Sequence, residues 1–228
     1  MPNWNLSDFL ESYQQRPDLE EMVSIAAGEP HLLTTSLSSL VIDSRKVEPG
    51  SLFIALSGAS VDGHDYVHRA VEQGASAVLV ATSRLHEFAA LSDSLPILIA
   101  DTPRAALGQL AAHFFHDPLA KFRAVLGITG TNGKTTSSFI AESLLLHDAR
   151  YAVGVIGTIN YRWTVPSRDL CIVKPAPNTT PESLVVHELA HHMLQDGVEI
   201  LVMEVSSHGL ETHRLHGVLF DGAMFTNL

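Results

Sequence analysis

The sequence predicts an α/β fold, because from Ser51 onward short runs of Val, Ile, Leu and Ala alternate with segments of helical period, and glycine or proline punctuates most of the joins. That alternation is the signature of a parallel sheet covered by helices. Ser51 to Leu56 reads as a strand, His64 to Gln73 as a helix that Gly74 stops, and Ala77 to Val80 as the next strand. Pro96 to Ala100 is a further strand. Thr102 and Pro103 supply a capping hydroxyl and a proline at the first helical position, opening a helix that runs toward His116 and ends before Pro118. A first unit, residues 1–117, closes there.

The second unit, residues 118–228, opens with a strand from Phe122 to Ile128, a glycine-rich turn, and a helix from about Lys134 to His147. Tyr151 to Ile156 is strand-like. Residues 157–180 hold Gly157, Pro166, Pro175 and Pro177 without a clear period, and read as a long loop with room for a strand or hairpin. Pro181 begins a helix to about Asp196, Gly197 ends it, Glu199 to Val205 is a buried strand, and Leu219 to Phe225 is the last strand-like run.

Composition narrows the function. With 46% hydrophobic and 17% charged residues the chain is globular, and 14 Lys and Arg against 25 Asp and Glu leave a net charge of -11. General attraction to nucleic acid or an anionic membrane is therefore not expected, and any anionic ligand must be held by local groups. The single cysteine, Cys171, forms no internal disulfide, which suits a reduced compartment such as the cytoplasm. The first ten residues lack the basic start and apolar run of a signal peptide, and no apolar run reaches membrane-spanning length.

The sharpest chemical signal is Gly130-Thr131-Asn132-Gly133-Lys134-Thr135-Thr136, between a strand and a helix. A loop there turns backbone N–H groups toward one point at the positive end of a helix dipole and cradles phosphate oxygens. Lys134 would neutralise the outer phosphates and Thr135 would offer its hydroxyl to Mg²⁺. The first glycine of the usual P-loop consensus would fall on Ile128; the glycines present are Gly127, Gly130 and Gly133. Phosphoryl transfer also needs a carboxylate that reaches the metal from a neighbouring strand. Glu204, after Ile200-Leu201-Val202-Met203, is placed to be it, the alternative being an acidic residue satisfied by a turn.

His187-Glu188-Leu189-Ala190-His191 matches the H-E-x-x-H zinc pattern on a predicted helix. Val185, Val186, Leu189, Ala190 and Met193 form the apolar face, which would leave His187, Glu188, His191 and His192 toward solvent, and no third-ligand motif follows. Zinc is not the expected cofactor.

The loop from Thr129 to Thr136, then Asn178-Thr179-Thr180-Pro181-Glu182, then Met203 to Leu210 with Arg214, then Phe225-Thr226-Asn227-Leu228, preceded by Asp43-Ser44-Arg45, Pro49 to Ala55 and Asp62-Gly63, together resemble the Mur ligases, in the branch that extends UDP-MurNAc-L-Ala-D-Glu by a diamino acid. The resemblance covers nearly the whole chain in the family's order. It implies an N-terminal domain that binds the UDP-sugar peptide, followed by the first half of a P-loop ATPase domain. Ile42, Ser44 and the turn with Ala59, Ser60 and Val61 would hold the uridine diphosphate part of the substrate. Asn178, Thr179, Thr180, Ser206, Thr212 and Arg214 would hold the muramoyl-dipeptide end, Thr212 standing where the family often has Gln. Residues 130–136 would bind ATP, Lys134 and Glu204 would be catalytic, and Thr135 and Glu204 would hold Mg²⁺.

The implied parent activity is ATP-dependent amide bond formation in peptidoglycan synthesis, by a cytoplasmic monomer. The family's second metal site and diamino-acid site lie in segments not found up to Leu228, so a truncated chain or natural fragment without turnover is expected, with meso-diaminopimelate favoured over L-lysine as the parent enzyme's added residue. Two other readings are a folylpolyglutamate synthase-like ligase, which shares the P-loop type, and a non-catalytic module that binds the UDP-sugar peptide.

Overall fold

The computed structural model describes residues 4–16, 21–27, 30–58 and 61–228, and divides into two compact units, Met1–Phe114 and Phe115–Leu228. Both are α/β, as the sequence predicts. None of the helices among the described residues is long and apolar enough to cross a membrane.

The first unit opens with β1 (Trp4–Asn5), α1 (Leu6–Gln14), β2 (Ser24–Ala27), β3 (Ser36–Leu37) and β4 (Ser39–Val41), strands of two to four residues that leave no clear period in the sequence. Asn5 caps α1, its side chain accepting from the Ser7 N–H at 3.0 Å, and Leu6, Phe9, Leu10 and Tyr13 form its buried stripe. Then come β5 (Ser51–Ile54), α2 (Val67–Glu72), β6 (Ala77–Ala81), β7 (Ile97–Ala100) and α3 (Pro103–Phe114). The sheet runs β2-β7-β6-β5-β4, with β4 to β7 parallel and β2 antiparallel at the edge. Phe53, Ala55, Val78 and Val80 pack with Val67 and Ala70 of α2 on one face; α3 lies against β6, β7 and α1. At the start of α3 the Glu21 carboxylate accepts from the Thr102 N–H at 2.9 Å, an anion at the positive end of a helix.

The second unit contains β8 (Ala124–Thr129), α4 (Lys134–Leu146), β9 (Val153–Ile156), β10 (Asn160–Val165), β11 (Leu170–Pro175), α5 (Ser183–Asp196), β12 (Ile200–Glu204), α6 (Ser207–Glu211) and β13 (Gly222–Phe225). Its sheet order is β11-β10-β9-β12-β8-β13, parallel from β9 to β13, with β10 and β11 adding an antiparallel hairpin. Residue alternation sends Leu201, Met203 and Ile156 into a core with Val186, Leu189, Ala190 and Met193 of α5, and Val202, Val153 and Val155 toward α4. Gly154 lies under α5, where an added Cβ would come within 2.6 Å of the Met193 sulfur.

Two expectations change. The stretch read mainly as a loop holds the β10–β11 hairpin, paired in register from Asn160–Pro175 to Val165–Leu170. Tyr161, Trp163 and Val165 alternate with Arg162 and Thr164 as a strand requires, but Gly157, Pro166, Pro175 and Pro177 around them read as a loop. Arg162 is buried on the other face, because its guanidinium donates to the Glu142 carboxylate on α4 at 2.6 and 2.8 Å and to Asn160 Oδ1 at 2.9 Å, and stacks over Phe139. His187 does not face solvent: it is 1% exposed, on the same side of α5 as buried Ser183 and Ala190, because α5 is covered well beyond its apolar stripe. His191 is partly exposed and lies against Phe115, and burial first, then the neighbouring cationic groups, lower its pKa.

The Arg162–Glu142 pair supports a stability prediction. Arg162→Ala leaves a buried carboxylate without its cation and is expected to cost about 3–5 kcal/mol, whereas Arg162→Met combined with Glu142→Leu, which removes both charges together, is expected to be nearly neutral. Urea unfolding of both variants checks it, and equal losses would refute the assignment.

Candidate functional site

Inserting β12 between β8 and β9 puts the carboxyl ends of β8 and β12 side by side, with Glu204 opposite Ile128 in the parallel register. The loop after β8 turns through Gly130 at φ 134° and Gly133 at φ 85°, conformations that favour glycine, and enters α4 at Lys134. Space also demands glycine at 130, where a Cβ would come within 2.1 Å of Thr226 Oγ1. The end of β13 clamps the loop: Thr226 Oγ1 donates to the Asn132 carbonyl at 2.6 Å, while Asn227 accepts from the N–H groups of Thr131 and Asn132 at 3.2 and 3.0 Å. The N–H groups of Gly133, Lys134, Thr135 and Thr136 open the helix and suit a phosphate. Lys134 Nζ donates to the Gly130 carbonyl at 2.6 Å, and a cavity of about 440 Å³ is lined by Thr129 to Thr131, Lys134, Ser206 and Asn227, among others.

Glu204 is 1% exposed and is met by hydroxyls: Thr135 and Thr158 lie 2.9 and 2.7 Å from Oε2, and Ser138 lies 3.0 Å from Oε1. Thr158 and Ser138 give no signal in the sequence, since only the sheet order brings them to this carboxylate. Thr135 and Glu204 suit Mg²⁺: both offer hard oxygens, and the 2.9 Å hydrogen bond from the Thr135 hydroxyl to the Glu204 carboxylate brings them close enough that one cation could be held by both.

Thr179 and Thr180 come beside the same carboxylate, Thr179 Oγ1 lying 3.1 Å from the Thr158 hydroxyl that meets Glu204. Thr180 is buried, donating its hydroxyl to the Glu204 carbonyl at 3.1 Å and accepting from the Ser206 N–H at 2.9 Å. Tyr161 donates to the Asn178 carbonyl at 3.0 Å, and burial raises its pKa. Ser206 caps α6, Arg214 donates to the Thr180 carbonyl at 3.2 Å and faces Glu182 at 3.3 Å, and Thr212 commits its hydroxyl to the His208 carbonyl at 2.6 Å. The structure therefore brings Thr179, Thr180, Ser206 and Arg214 together around the end of β12, with Thr212 turned onto its own helix.

In the first unit a cavity of about 580 Å³ is lined by Ile42, Asp43, Ser44, Arg45, Phe53, Leu56, Gly58, Val61, Gly63, Tyr66 and Arg69. Ile42, Ser44 and Val61 of the predicted set meet there; Ala59 and Ser60 lie outside the described residues. Asp43 binds the Arg45 side chain at 2.9 and 2.8 Å, and that guanidinium lowers its pKa to about 2.

Two family profiles match this chain: the Mur ligase middle domain over residues 128–228 and the catalytic domain of the Mur ligase family over residues 36–115. The chain belongs to the Mur ligase family. It is 41% identical over 190 residues to the UDP-N-acetylmuramoyl-L-alanyl-D-glutamate--2,6-diaminopimelate ligase of Geobacillus thermodenitrificans, a match covering 83% of this chain and 36% of the relative. The ligase of the same name from Lawsonia intracellularis is 42% identical over 189 residues, covering 83% and 37%. This Mur ligase chain thus spans little more than a third of the length of the curated relatives it matches. A solved structure of a ligase of that name superposes with a TM-score of 0.68 at 24% identity, covering 100% of this chain and 41% of that one. The MurF ligase of Thermotoga maritima in complex with ADP superposes with a TM-score of 0.50 at 25% identity, covering 87% and 39%.

Behind the first cavity of this Mur ligase chain, Asp62 ties three elements. Its Oδ1 accepts from the His64 N–H at 3.0 Å and lies 2.7 Å from His64 Nδ1, its Oδ2 accepts from Arg84 at 2.8 Å, and His64 Nε2 accepts from the Ala81 N–H at 3.0 Å. Burial raises the Asp62 pKa, but the His64 N–H and ring and the Arg84 guanidinium outweigh it and hold the carboxyl well below the usual range. The stability this lends is present above the ordinary carboxylate pKa and is lost as the pH falls below it toward the native value. Asp62→Asn is expected to cost about 1 kcal/mol near neutrality, modest because the group is partly wet, and the gap from wild type should narrow toward pH 2 in urea unfolding. An unchanged gap would contradict the assignment.

Proposed function

We propose that this chain supplies the UDP-sugar-peptide site and the nucleotide-phosphate site of an ATP-dependent ligase of peptidoglycan precursor synthesis. The reaction is addition of a diamino acid, meso-diaminopimelate, to UDP-MurNAc-L-Ala-D-Glu in the cytoplasm. We assign the first site to residues 1–117 and the second to residues 118–228. The observation that carries the reading is the meeting of Thr135, at the start of the P-loop helix, with Glu204, at the end of the adjacent buried strand. The names of the curated relatives support the substrate and the added residue.

In this mechanism the D-glutamyl carboxylate attacks the γ-phosphate of ATP, giving an acyl phosphate and ADP, and the amine of the diamino acid then displaces phosphate. Lys134 exchanges its Gly130 carbonyl for phosphate oxygens and meets the charge that develops on them, and the N–H groups at the start of α4 orient the phosphate chain. Thr135 and Glu204 would hold Mg²⁺, which supplies charge neutralisation at the phosphates when bound. Arg214 and Thr179 orient the muramoyl peptide. In the first unit Ser44 and the backbone near Gly58 bind the diphosphate, Arg45 and Arg69 offset its charge, and Tyr66, 38% exposed at the cavity, offers a face for the uracil ring. That cavity favours a UDP-sugar substrate over a folate.

Lys134→Ala is expected to weaken binding of a nonhydrolysable ATP analogue with Mg²⁺ by at least ~10-fold in calorimetry, since it removes a charge-assisted contact. Equal affinity would mean that the loop is not the nucleotide site. UDP alone, without Mg²⁺, is expected to shift the NMR resonances of Ser44 and Arg45 in the full chain. Saturating UDP without such shifts would refute the first assignment.

A further inference from the structure

Thr158 belongs to neither of the ligand sets assigned above, yet it stands between them. Its hydroxyl oxygen is 2.7 Å from Glu204 Oε2 and 3.1 Å from Thr179 Oγ1, and Glu204 Oε2 is in turn 2.9 Å from Thr135 Oγ1. The line Thr179, Thr158, Glu204, Thr135 therefore joins the peptide side of the crevice to the P-loop. The backbone that carries Thr158 is held against the carboxylate, because a Cβ on Gly157 would come within 2.5 Å of Glu204 Oε1. We propose that Thr158 is a positioning residue that couples nucleotide–metal binding at Thr135 and Glu204 to binding of the substrate carboxylate at Thr179.

The coupling follows from proton count, and rests on the reading of the two sites given above. A threonine hydroxyl has one proton and can accept from others. When Thr158 donates to the Glu204 carboxylate, its contact with Thr179 is made by the Thr179 proton, so Thr179 has none to offer an incoming carboxylate. A divalent cation at Oε2 offsets the Glu204 charge and releases the Thr158 proton. That proton turns to Thr179 Oγ1, and the Thr179 proton becomes available to the ligand. No covalent bond is made or broken; two hydroxyl rotors reorient. The nucleotide with Mg²⁺ thus favours peptide binding, and by reciprocity the peptide favours the nucleotide with Mg²⁺.

The test is calorimetry on the full chain, with a nonhydrolysable ATP analogue titrated with and without saturating UDP-MurNAc-L-Ala-D-Glu, and in EDTA or Mg²⁺. The wild type is expected to bind the analogue about 5- to 20-fold more tightly when the peptide is present, and only in Mg²⁺. Thr158→Val, which keeps the shape and removes the rotor, should reduce that ratio below twofold, and Thr158→Ser should restore it. Because the readout is a ratio within each protein, a general loosening of the fold does not imitate it; circular dichroism and the melting temperature verify that the valine variant folds, and Thr179→Val, which cuts the line at its other end, should abolish the ratio as well. Wild-type binding of both ligands with no coupling, or full coupling in Thr158→Val, overturns the proposal and leaves the two sites standing. Failure of the wild type to bind the analogue in Mg²⁺ overturns the site assignment, and the proposal with it.

Discussion

The structure of the second unit depends on one placement: a carboxylate at the end of a strand buried on both faces and paired in parallel on both edges. β12 takes its position from Val202, which meets the α4 side, and from Leu201 and Met203, which meet the α5 side. Pairing with β8 and β9 then leaves no freedom of register, because a slip of one residue would exchange these faces. Glu204 is thereby carried to a fixed point beside the P-loop. A buried carboxyl group needs donors, and Thr135, Ser138 and Thr158 provide them from α4 and from the turn after β9. The same hydroxyls tie the strand to both neighbours of the crevice.

In the proposed function a chain with a net charge of -11 binds anions, which requires it to concentrate its positive potential. The N-terminus of α4 and Lys134 do so at one cavity, and Arg69 lines the other, where Arg45 is paired with Asp43. Elsewhere the arginines serve the fold. Arg162 is taken up by Glu142, Asn160 and the Phe139 ring, and Arg84 by Asp62 and Glu87. Arg214 is intermediate between the two classes: it holds the Thr180 carbonyl and faces Glu182, yet it borders the crevice.

What can be read from the sequence divides along the range of the interactions. The strand, loop and helix from Phe122 to His147 and the strand ending at Glu204 are written in local patterns, apolar runs followed by glycine or a helical period, and the structure has them within a few residues. In the first fifty residues β1, β3 and β4 are too short to leave a pattern, being two or three residues long, whereas α1 carries its apolar residues at helical spacing, Leu6, Phe9, Leu10 and Tyr13, a signal the reading from Ser51 onward passes over. The β10–β11 hairpin is obscured by Gly157, Pro166, Pro175 and Pro177 around it, although Tyr161, Trp163 and Val165 alternate with Arg162 and Thr164. A helical wheel misplaces His187 because it records the strongest apolar face and not how far around the helix the packing extends. Thr158 and Ser138 carry no local mark at all, since a hydroxyl becomes part of a site only when the sheet order sets it beside a carboxylate.

The loop after β8 is shaped by contacts within the chain. Its peptide groups at Thr131 and Asn132 are held by Asn227, and the Asn132 carbonyl by Thr226, so its conformation is tied to the residues that follow β13. Binding therefore does not have to order the loop, which removes a cost that a flexible loop would impose on affinity. In the proposed function what remains is an exchange of partners at Lys134, whose ammonium would leave the Gly130 carbonyl for phosphate oxygens. An ammonium gains more from an anion than from a neutral carbonyl, so this exchange favours the ligand. Gly130 is the point where both requirements meet: its positive φ turns the loop, and its missing side chain admits Thr226, without which the clamp could not close.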